Sequence, residues 1–499
     1  MDVTSMVDVK VVLVAVIGVL MMSYLTRRIS RNRRKLPPGP PAWPLLGSLP
    51  YIARMGLHPL ELLFRMPNIF GDIAHLRLVG YDVIVLSDYK ILKEALNRND
   101  FAARPRPVYT NVAGRNNFGL VSSSGDVSKE QRQVAHSFFR DLGLVKRSME
   151  EKIVVEINYL MEEFRKTEGK SFNPKVMINN AVSNIICSVL FGSRHEYNDP
   201  VFNEMLDALN SNLQISKSGG LFFFLHAIAN IPKTPGYKIR QNVTCISSNI
   251  KKFLEDHLKD HQADRPRDML DMYIDKMRQN QKNGTSSSYD KINTVFSLAD
   301  IFSGGSETTT TTLRWLMLHL ITKPDIQKRI QAEIDKVVGR DRFPTLQDKA
   351  NLPYTEATIL EALRLNFVTP LGVPHQYTGR GDLRFHGYDI PEGAIIIANY
   401  WRISRDPKIW DDPEVFKPER FLNAEGNCVK PEELMPFSIG KRMCIGEPLA
   451  KMELSLILSY LLHQFTFTLP EDEPSYSMKG SFGAVNTPVS YEMRAIPRD

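Results

Sequence analysis

The stretch PFSIGKRMCIGEPLAKMEL, Pro436 to Leu454, sets one cysteine between two glycines, with two cations just before it and an amphipathic helical pattern just after. The chain uses cysteine sparingly: Cys187, Cys245, Cys428 and Cys444 are its 4 cysteines in 499 residues. They show neither CxxC nor Cys/His zinc spacing and are too sparse for a disulfide framework, so a reducing compartment is expected. A lone buried cysteine ordinarily serves as a small core hydrophobe. Cys444 has more around it. Phe437, Gly440, Arg442, Cys444 and Gly446 fit the pattern FxxGxRxCxG, in which the glycines permit a tight loop. A helix is predicted to begin near Ile445, which puts the sulfur at its start. Backbone N–H groups and nearby positive charge at such a position lower a thiol's pKa, and a thiolate can bind haem iron and push electron density toward O–O cleavage.

Upstream of the cysteine loop, Tyr289 to Thr322 reads as one helix of about 30 residues, long enough to cross a whole domain. Its middle, SGGSETTTTT, contradicts that propensity: Gly304 and Gly305 each cost roughly 1 kcal/mol relative to alanine, and threonine loses side-chain freedom in a helix. Either small residues let another helix pack close, or the site has a use that offsets the cost. Helical spacing also recurs in Met149 to Phe164, Lys175 to Phe191 and Ile326 to Val338. Strand patterns are local, in His75 to Asp88 and in the turn-rich run from Val373 to Asn399. The fold class is therefore mainly α with small β-sheets. No repeat and no second domain announces itself, and Gln279 to Ser288 reads as a polar surface loop.

Hydrophobic residues at 43% and charged residues at 24% describe a folded globular chain. The N-terminus is apolar from Val11 to Leu25, close to the roughly 20 residues that a bilayer span requires. Arg27, Arg28, Arg31, Arg33, Arg34 and Lys35 follow and would stay in the cytoplasm. A cleaved signal peptide would instead begin with basic residues, whereas this start carries two aspartates. The prolines of Leu36 to Gly47 favour stiff, extended backbone. The expected organisation is an anchor over 1–26, a basic flank and hinge over 27–47, and a catalytic domain over 48–499. The net charge of +7 includes those six flanking cations, so what remains is nearly balanced and nucleic-acid binding is not expected.

Taken together, these motifs resemble the cytochrome P-450 family, and the resemblance covers almost the whole chain. Gly304-Gly305-Ser306-Glu307-Thr308-Thr309 is similar to the family's oxygen-binding helix motif, Glu361-Ala362-Leu363-Arg364 to ExxR, and Pro418-Glu419-Arg420-Phe421 to the segment before the cysteine loop. The details GVPHQYT and DPKIWDDPEVFKPERFL resemble the animal microsomal family 2 class. The resemblance implies the cytochrome P-450 fold, with haem b lying between the long oxygen-binding helix and the cysteine-loop helix. It implies Cys444 as the iron ligand, Glu307 and Thr308 as the acid and alcohol of a proton relay, and a structural charge cluster of Glu361, Arg364 and Arg420. It nominates Arg104, Arg132, His375 and Arg442 for the haem propionates, and Gly304, Gly305, Phe437, Gly440 and Gly446 for approach to the cofactor. Two departures stand out: Ser128 replaces a usual tryptophan and Ser404 a common histidine.

The implied activity is monooxygenation of a lipophilic substrate, a steroid, fatty acid or xenobiotic, at the endoplasmic reticulum membrane with a cytosolic catalytic domain. Electrons would come from NADPH through NADPH-cytochrome P-450 reductase, with cytochrome b5 as a further candidate donor, because no GxGxxG opens a βαβ unit here. Membrane lipid is an expected contact. Two alternatives remain open at this stage: a same-fold isomerase or dehydratase working without reductase, and a haem-binding sensor. The substrate chamber is expected along Val108 to Leu120, Leu206 to Phe224, the helix before Gly305, Val368 to Val373 and Phe482 to Val485. Leu221 to Leu225 is read either as core or as a second membrane contact.

Overall fold

The computed structural model describes Val11 and residues 34–498, except 57–58, 79, 106–116, 143–145, 218–230, 263–265, 285 and 473–474. The anchor and most of its basic flank, and the Leu221 to Leu225 run, lie outside the described residues. Among the described residues no helix is long and apolar enough to cross a membrane.

A single helix, Lys291–Thr322, runs 32 residues without a break, a length of about 48 Å. It begins where the Asp290 carboxylate accepts the Asn293 N–H at 2.7 Å, which satisfies one of the orphan donors of the first turn. From Thr309 to Ile321 every residue is buried. The glycine and threonine stretch stays helical because tertiary burial outweighs propensity. Its hydroxyls fold back on the helix: Thr308 donates to the Gly304 carbonyl at 2.7 Å, Thr310 to Ser306 at 2.7 Å and Thr312 to Thr308 at 2.9 Å.

The helices Lys146–Lys166, Lys175–Phe191 and Pro324–Val337 fall where the apolar spacing predicts them. Lys175–Phe191 lies against the long helix. It is buried over most of its circumference and ends at Gly192, whose φ of 68° suits a residue without Cβ. The helix Glu447–Gln464 carries the chain away from the cysteine loop and packs on the long helix in turn. All three share one large apolar core.

To one side lies a four-stranded sheet in the order Ile73–Leu78, Tyr81–Leu86, Ile395–Ala398, His375–Gln376. The first pair falls on the strand pattern of His75 to Asp88 and is antiparallel, with His75 opposite Ile84. Tyr81–Leu86 then runs parallel to Ile395–Ala398, with Val83 opposite Ile395. Three further sheets have two strands each. His375, on that sheet, and the 368–373 segment face the same cavity as the glycines in the middle of the long helix.

Candidate active site

The cysteine loop is held by its backbone. Gly440 has φ 75°, and a Cβ there would lie 2.2 Å from the Leu96 carbonyl oxygen, so neither the conformation nor the space admits a side chain. The Cys444 N–H donates to the Phe437 carbonyl at 2.9 Å, closing the loop. Ser438, at φ 61°, shares a hydrogen bond of 2.6 Å with the Tyr400 hydroxyl. Helix Glu447–Gln464 starts three residues past the cysteine, capped by Gly446. The Gly446 and Glu447 N–H groups and the Arg132 charge draw the thiol's pKa down, but burial is the largest influence and leaves it above its ordinary value. The Cys444 side chain is nevertheless exposed to the cavity in front of it, where the Gly446 and Glu447 N–H groups and the Arg132 charge favour the thiolate.

Cys444 opens into a cavity of about 300 Å³. Phe437, Met443, Gly446, Leu449 and Glu453 line its thiol side, and Gly304, Gly305, Thr308 and Thr309 the side formed by the long helix. A Cβ built on Gly304 meets nothing within 4 Å, so bare backbone faces the space. Gly305 differs: its Cβ would lie 2.5 Å from Ile186 Cδ1, and this glycine serves mainly the approach of helix Lys175–Phe191. Gly440 likewise lies outside the cavity lining and shapes the loop instead of touching a cofactor.

The cavity's cations are Arg104, Arg132 and Arg442, joined by the imidazole of His375. Arg104 Nη1 donates to the carbonyls of Val373 at 2.9 Å and Pro374 at 3.0 Å. Arg132 Nη2 reaches the Met443 carbonyl at 2.7 Å. Arg442 donates to the Ser123 and Val121 carbonyls and to the Ser128 hydroxyl. Ser128 therefore stands behind Arg442 and orients it. Burial, then the nearby Arg104 charge, lowers Arg132 to about 10. Burial, followed by the Arg104 and Arg442 charges, holds His375 well below its usual value, while its Nδ1 bonds the Phe101 carbonyl at 2.8 Å. Like charges gathered in a dry place need an anionic guest. A thiol on one face, bare helix backbone on the other and guanidinium groups between them fit an iron porphyrin with two carboxylates.

The long helix separates Glu307 from Thr308. Thr308 lines the cavity, whereas Glu307 is 4% exposed, takes a hydrogen bond of 3.2 Å from Thr311 and lies outside the lining. Burial raises its pKa, opposed chiefly by the Lys175 and Arg314 charges. The acid thus stands behind the alcohol instead of beside it in the cavity, because consecutive helical residues are about 100° apart.

The charge cluster assembles as expected. Arg364 grips Glu361 with two bonds, Nε to Oε2 at 2.7 Å and Nη2 to Oε1 at 2.8 Å, both residues fully buried. Arg420 Nε adds a third at 3.0 Å. Ser404 belongs here, since its carbonyl accepts from Arg364 at 2.7 Å, and it does not line the haem cavity. Arg364 also binds the Pro413 carbonyl at 2.8 Å, tying the segment before the cysteine loop to the helix Pro353–Leu365.

Of the expected chamber, Leu120, Ile301 and the 368–373 segment line the cavity. Phe482 does not: it packs on Phe64 and Trp401 around a separate cleft. Two cavity acids escaped the sequence reading. Asp300 accepts the Leu120 and Val121 N–H groups, each at 2.8 Å, and so pins that loop to the long helix. Glu453 is buried in the apolar helix after the cysteine. Its signal was an acid inside an otherwise apolar run, MELSLILSYLL.

Such an arrangement fits a haem-binding site with a cysteine thiol on one wall. The family pattern described as Cytochrome P450 matches residues 37–495. Cytochrome P450 2U1 of Homo sapiens is 37% identical over 96% of this chain and 92% of its own length. Cytochrome P450 2J5 of Mus musculus is 37% identical over 98% and 96%, and cytochrome P450 18a1 of Drosophila melanogaster 33% identical over 97% and 92%. The chain belongs to the cytochrome P450 family and is a haem monooxygenase of that family.

Proposed function

We propose that this chain inserts one oxygen atom of O2 into a lipophilic substrate, with NADPH electrons delivered by a membrane-bound flavin reductase. The observation that carries this reading is the Cys444 thiol facing Gly304 and Thr308 across a cavity that also holds Arg104, Arg132, Arg442 and His375. Haem bound there would supply dioxygen activation, with Cys444 Sγ as the residue that would hold its iron. Arg104, Arg132, Arg442 and His375 hold the propionates. Gly304 leaves room for the cofactor and the oxygen substrate. Thr308 Oγ1 passes protons into the cavity, and Glu307, kept protonated more readily by burial, holds one on the helix's other face. Leu120, Val121, Ile301, Val368 and Val373 present mostly apolar surface to the substrate.

Glu361, Arg364 and Arg420 are structural, fixing the loop that carries Cys444. The residues 1–26 serve as the anchor in the endoplasmic reticulum membrane and 27–47 as flank and hinge. The catalytic domain, 48–499, faces the cytosol. Incubation of the haem-loaded chain with purified flavin reductase, NADPH and a panel of lipophiles tests the reading. Substrate-dependent consumption of NADPH and O2 with a hydroxylated product is expected; rearrangement of a peroxide without reductase would favour the isomerase alternative, and no turnover a sensor.

A further inference from the structure

The cleft around Phe482 has a volume of about 360 Å³ and shares no lining residue with the haem cavity. Its apolar floor is three aromatic rings in mutual contact, with centroids 5.3 Å apart between Phe64 and Trp401, 5.1 Å between Phe64 and Phe482, and 5.0 Å between Trp401 and Phe482. Phe64 comes from the helix Pro59–Phe70, Trp401 from the short helix Tyr400–Ile403, and Phe482 from the hairpin of Gly480–Phe482 with Asn486–Pro488. The cleft stands back to back with the haem cavity. The Trp401 N–H donates to the Pro370 carbonyl at 3.0 Å and the Asn486 N–H to the Val368 carbonyl at 2.7 Å, while Val368 and Tyr400 line the haem cavity itself.

The charged groups that line the cleft are unequally committed. Arg405 is occupied: its guanidinium lies 3.2 Å over the Trp401 ring, its Nη1 donates to the Ser404 hydroxyl at 3.0 Å, and its Nε stands 3.3 Å from Glu414 Oε1. Arg402 is not. Its side chain is only 23% exposed, yet its Nε has no hydrogen-bond partner among the described residues, and its Nη1 comes within 3.7 Å of Asp406, too far for a hydrogen bond. A guanidinium withdrawn from water ordinarily directs its donors to carboxylates or carbonyls, as Arg364 does. Glu61 and Arg65, one turn apart on Pro59–Phe70, make no ion pair among the described residues. With Arg405 and Glu414 paired, two guanidinium groups stand against one carboxylate, which leaves an excess of positive charge beside the aromatic floor.

We propose that this cleft is a second ligand site, which takes an arylalkyl carboxylic acid: its ring system lies on Phe64, Trp401 and Phe482, and its carboxylate meets Arg402 and Arg65. Aromatic walls favour a flat apolar body in edge or offset contact. The planar fork of a guanidinium matches a carboxylate, and Arg402 has donors that nothing else among the described residues takes up. The ligand is held beside the haem cavity, behind the wall formed by the 368–373 segment, and is not oxidised there. The site does not depend on the haem-thiolate reading.

The test is calorimetric titration of naphthaleneacetate, and of its neutral analogue naphthaleneethanol, into the full haem-loaded chain with clotrimazole added first to fill the haem cavity. The wild type is expected to bind the acid at one site with the azole in place, and the alcohol about tenfold more weakly, the usual worth of a charge-assisted hydrogen bond. Arg402→Gln, which removes a side chain whose Nε makes no hydrogen bond, is expected to fold, to lose about tenfold of the affinity for the acid and to leave that for the alcohol unchanged. Arg65→Gln should act in the same sense but less, because Arg65 is exposed. Phe482→Ala should weaken acid and alcohol alike; if it fails to fold, Phe64→Leu takes its place. An Arg402→Gln chain that binds the acid as tightly as the wild type, or an acid that no longer binds once the azole is seated, would overturn the proposal. A haem absorption band that the azole fails to shift would count against the haem reading, and the Arg402→Gln comparison would still decide the cleft.

Discussion

Glu453 illustrates how burial governs chemistry at a single residue in this fold: it is 1% exposed against the cavity wall, and the loss of water is the largest influence on its proton. For Glu453 the consequence for stability has a definite sign. Its carboxyl titrates near 4.5 when unperturbed and at about 8 here, so the folded chain binds the proton more tightly than the unfolded one. Below about 4.5 the residue costs nothing by this route; the cost grows as pH rises to about 8 and then stays constant, reaching on the order of a few kcal/mol. Denaturant melts of the wild type should therefore show stability falling across that window, while Glu453→Gln lacks this component. Equal slopes would show that the carboxyl is not held neutral. Glu307 follows the same direction, with Lys175 and Arg314 opposing it.

At the scale of elements, the long helix resolves the conflict between propensity and pattern at SGGSETTTTT. The two glycines divide the alternatives that the sequence left open: Gly305 admits Ile186 of the neighbouring helix, whereas Gly304 faces open space. Gly304→Ala is thus expected to raise the thermal stability of the haem-free chain, by up to about 1 kcal/mol from helix propensity, and at the same time to weaken haem retention. Melting and haem-transfer measurements on one preparation check both signs; a loss of stability would mean that packing, not the cavity, requires this glycine. Helix limits were legible because apolar spacing is a local property, as the agreement at Lys175–Phe191 shows. The contrast between Glu307 and Thr308 was not legible, since motif spacing records neighbours in the chain and says nothing of which helical face meets the cavity. Phe482, expected along the chamber, was misplaced for the same reason, since its partners are Phe64 and Trp401.

At the scale of the whole molecule, a large apolar core and the long helix bring residues from Arg104 to Glu453 around the cavity. The Arg364 and Arg420 guanidinium groups make nine hydrogen bonds, three to Glu361 and six to carbonyls between Ser404 and Val415, which ties the segment before the cysteine loop to the helix Pro353–Leu365. Asn242-Val243-Thr244 and Asn283-Gly284-Thr285 fit the N-x-[ST] glycosylation pattern, which makes membrane topology testable. Asn242 is buried and donates to Asn212 Oδ1 at 2.9 Å, so it would escape glycosylation on either side of a membrane. Asn283 is exposed at the end of its helix, and glycosidase-sensitive mass on it would contradict a cytosolic body. The central claim, that Cys444 is the thiolate that holds haem in this cavity, is tested most directly by the carbon monoxide spectrum of the reduced, haem-loaded chain beside its Cys444→His variant. The wild type is expected to give the strongly red-shifted band and the histidine variant to lose it together with monooxygenation; a histidine variant that kept the band would contradict the account.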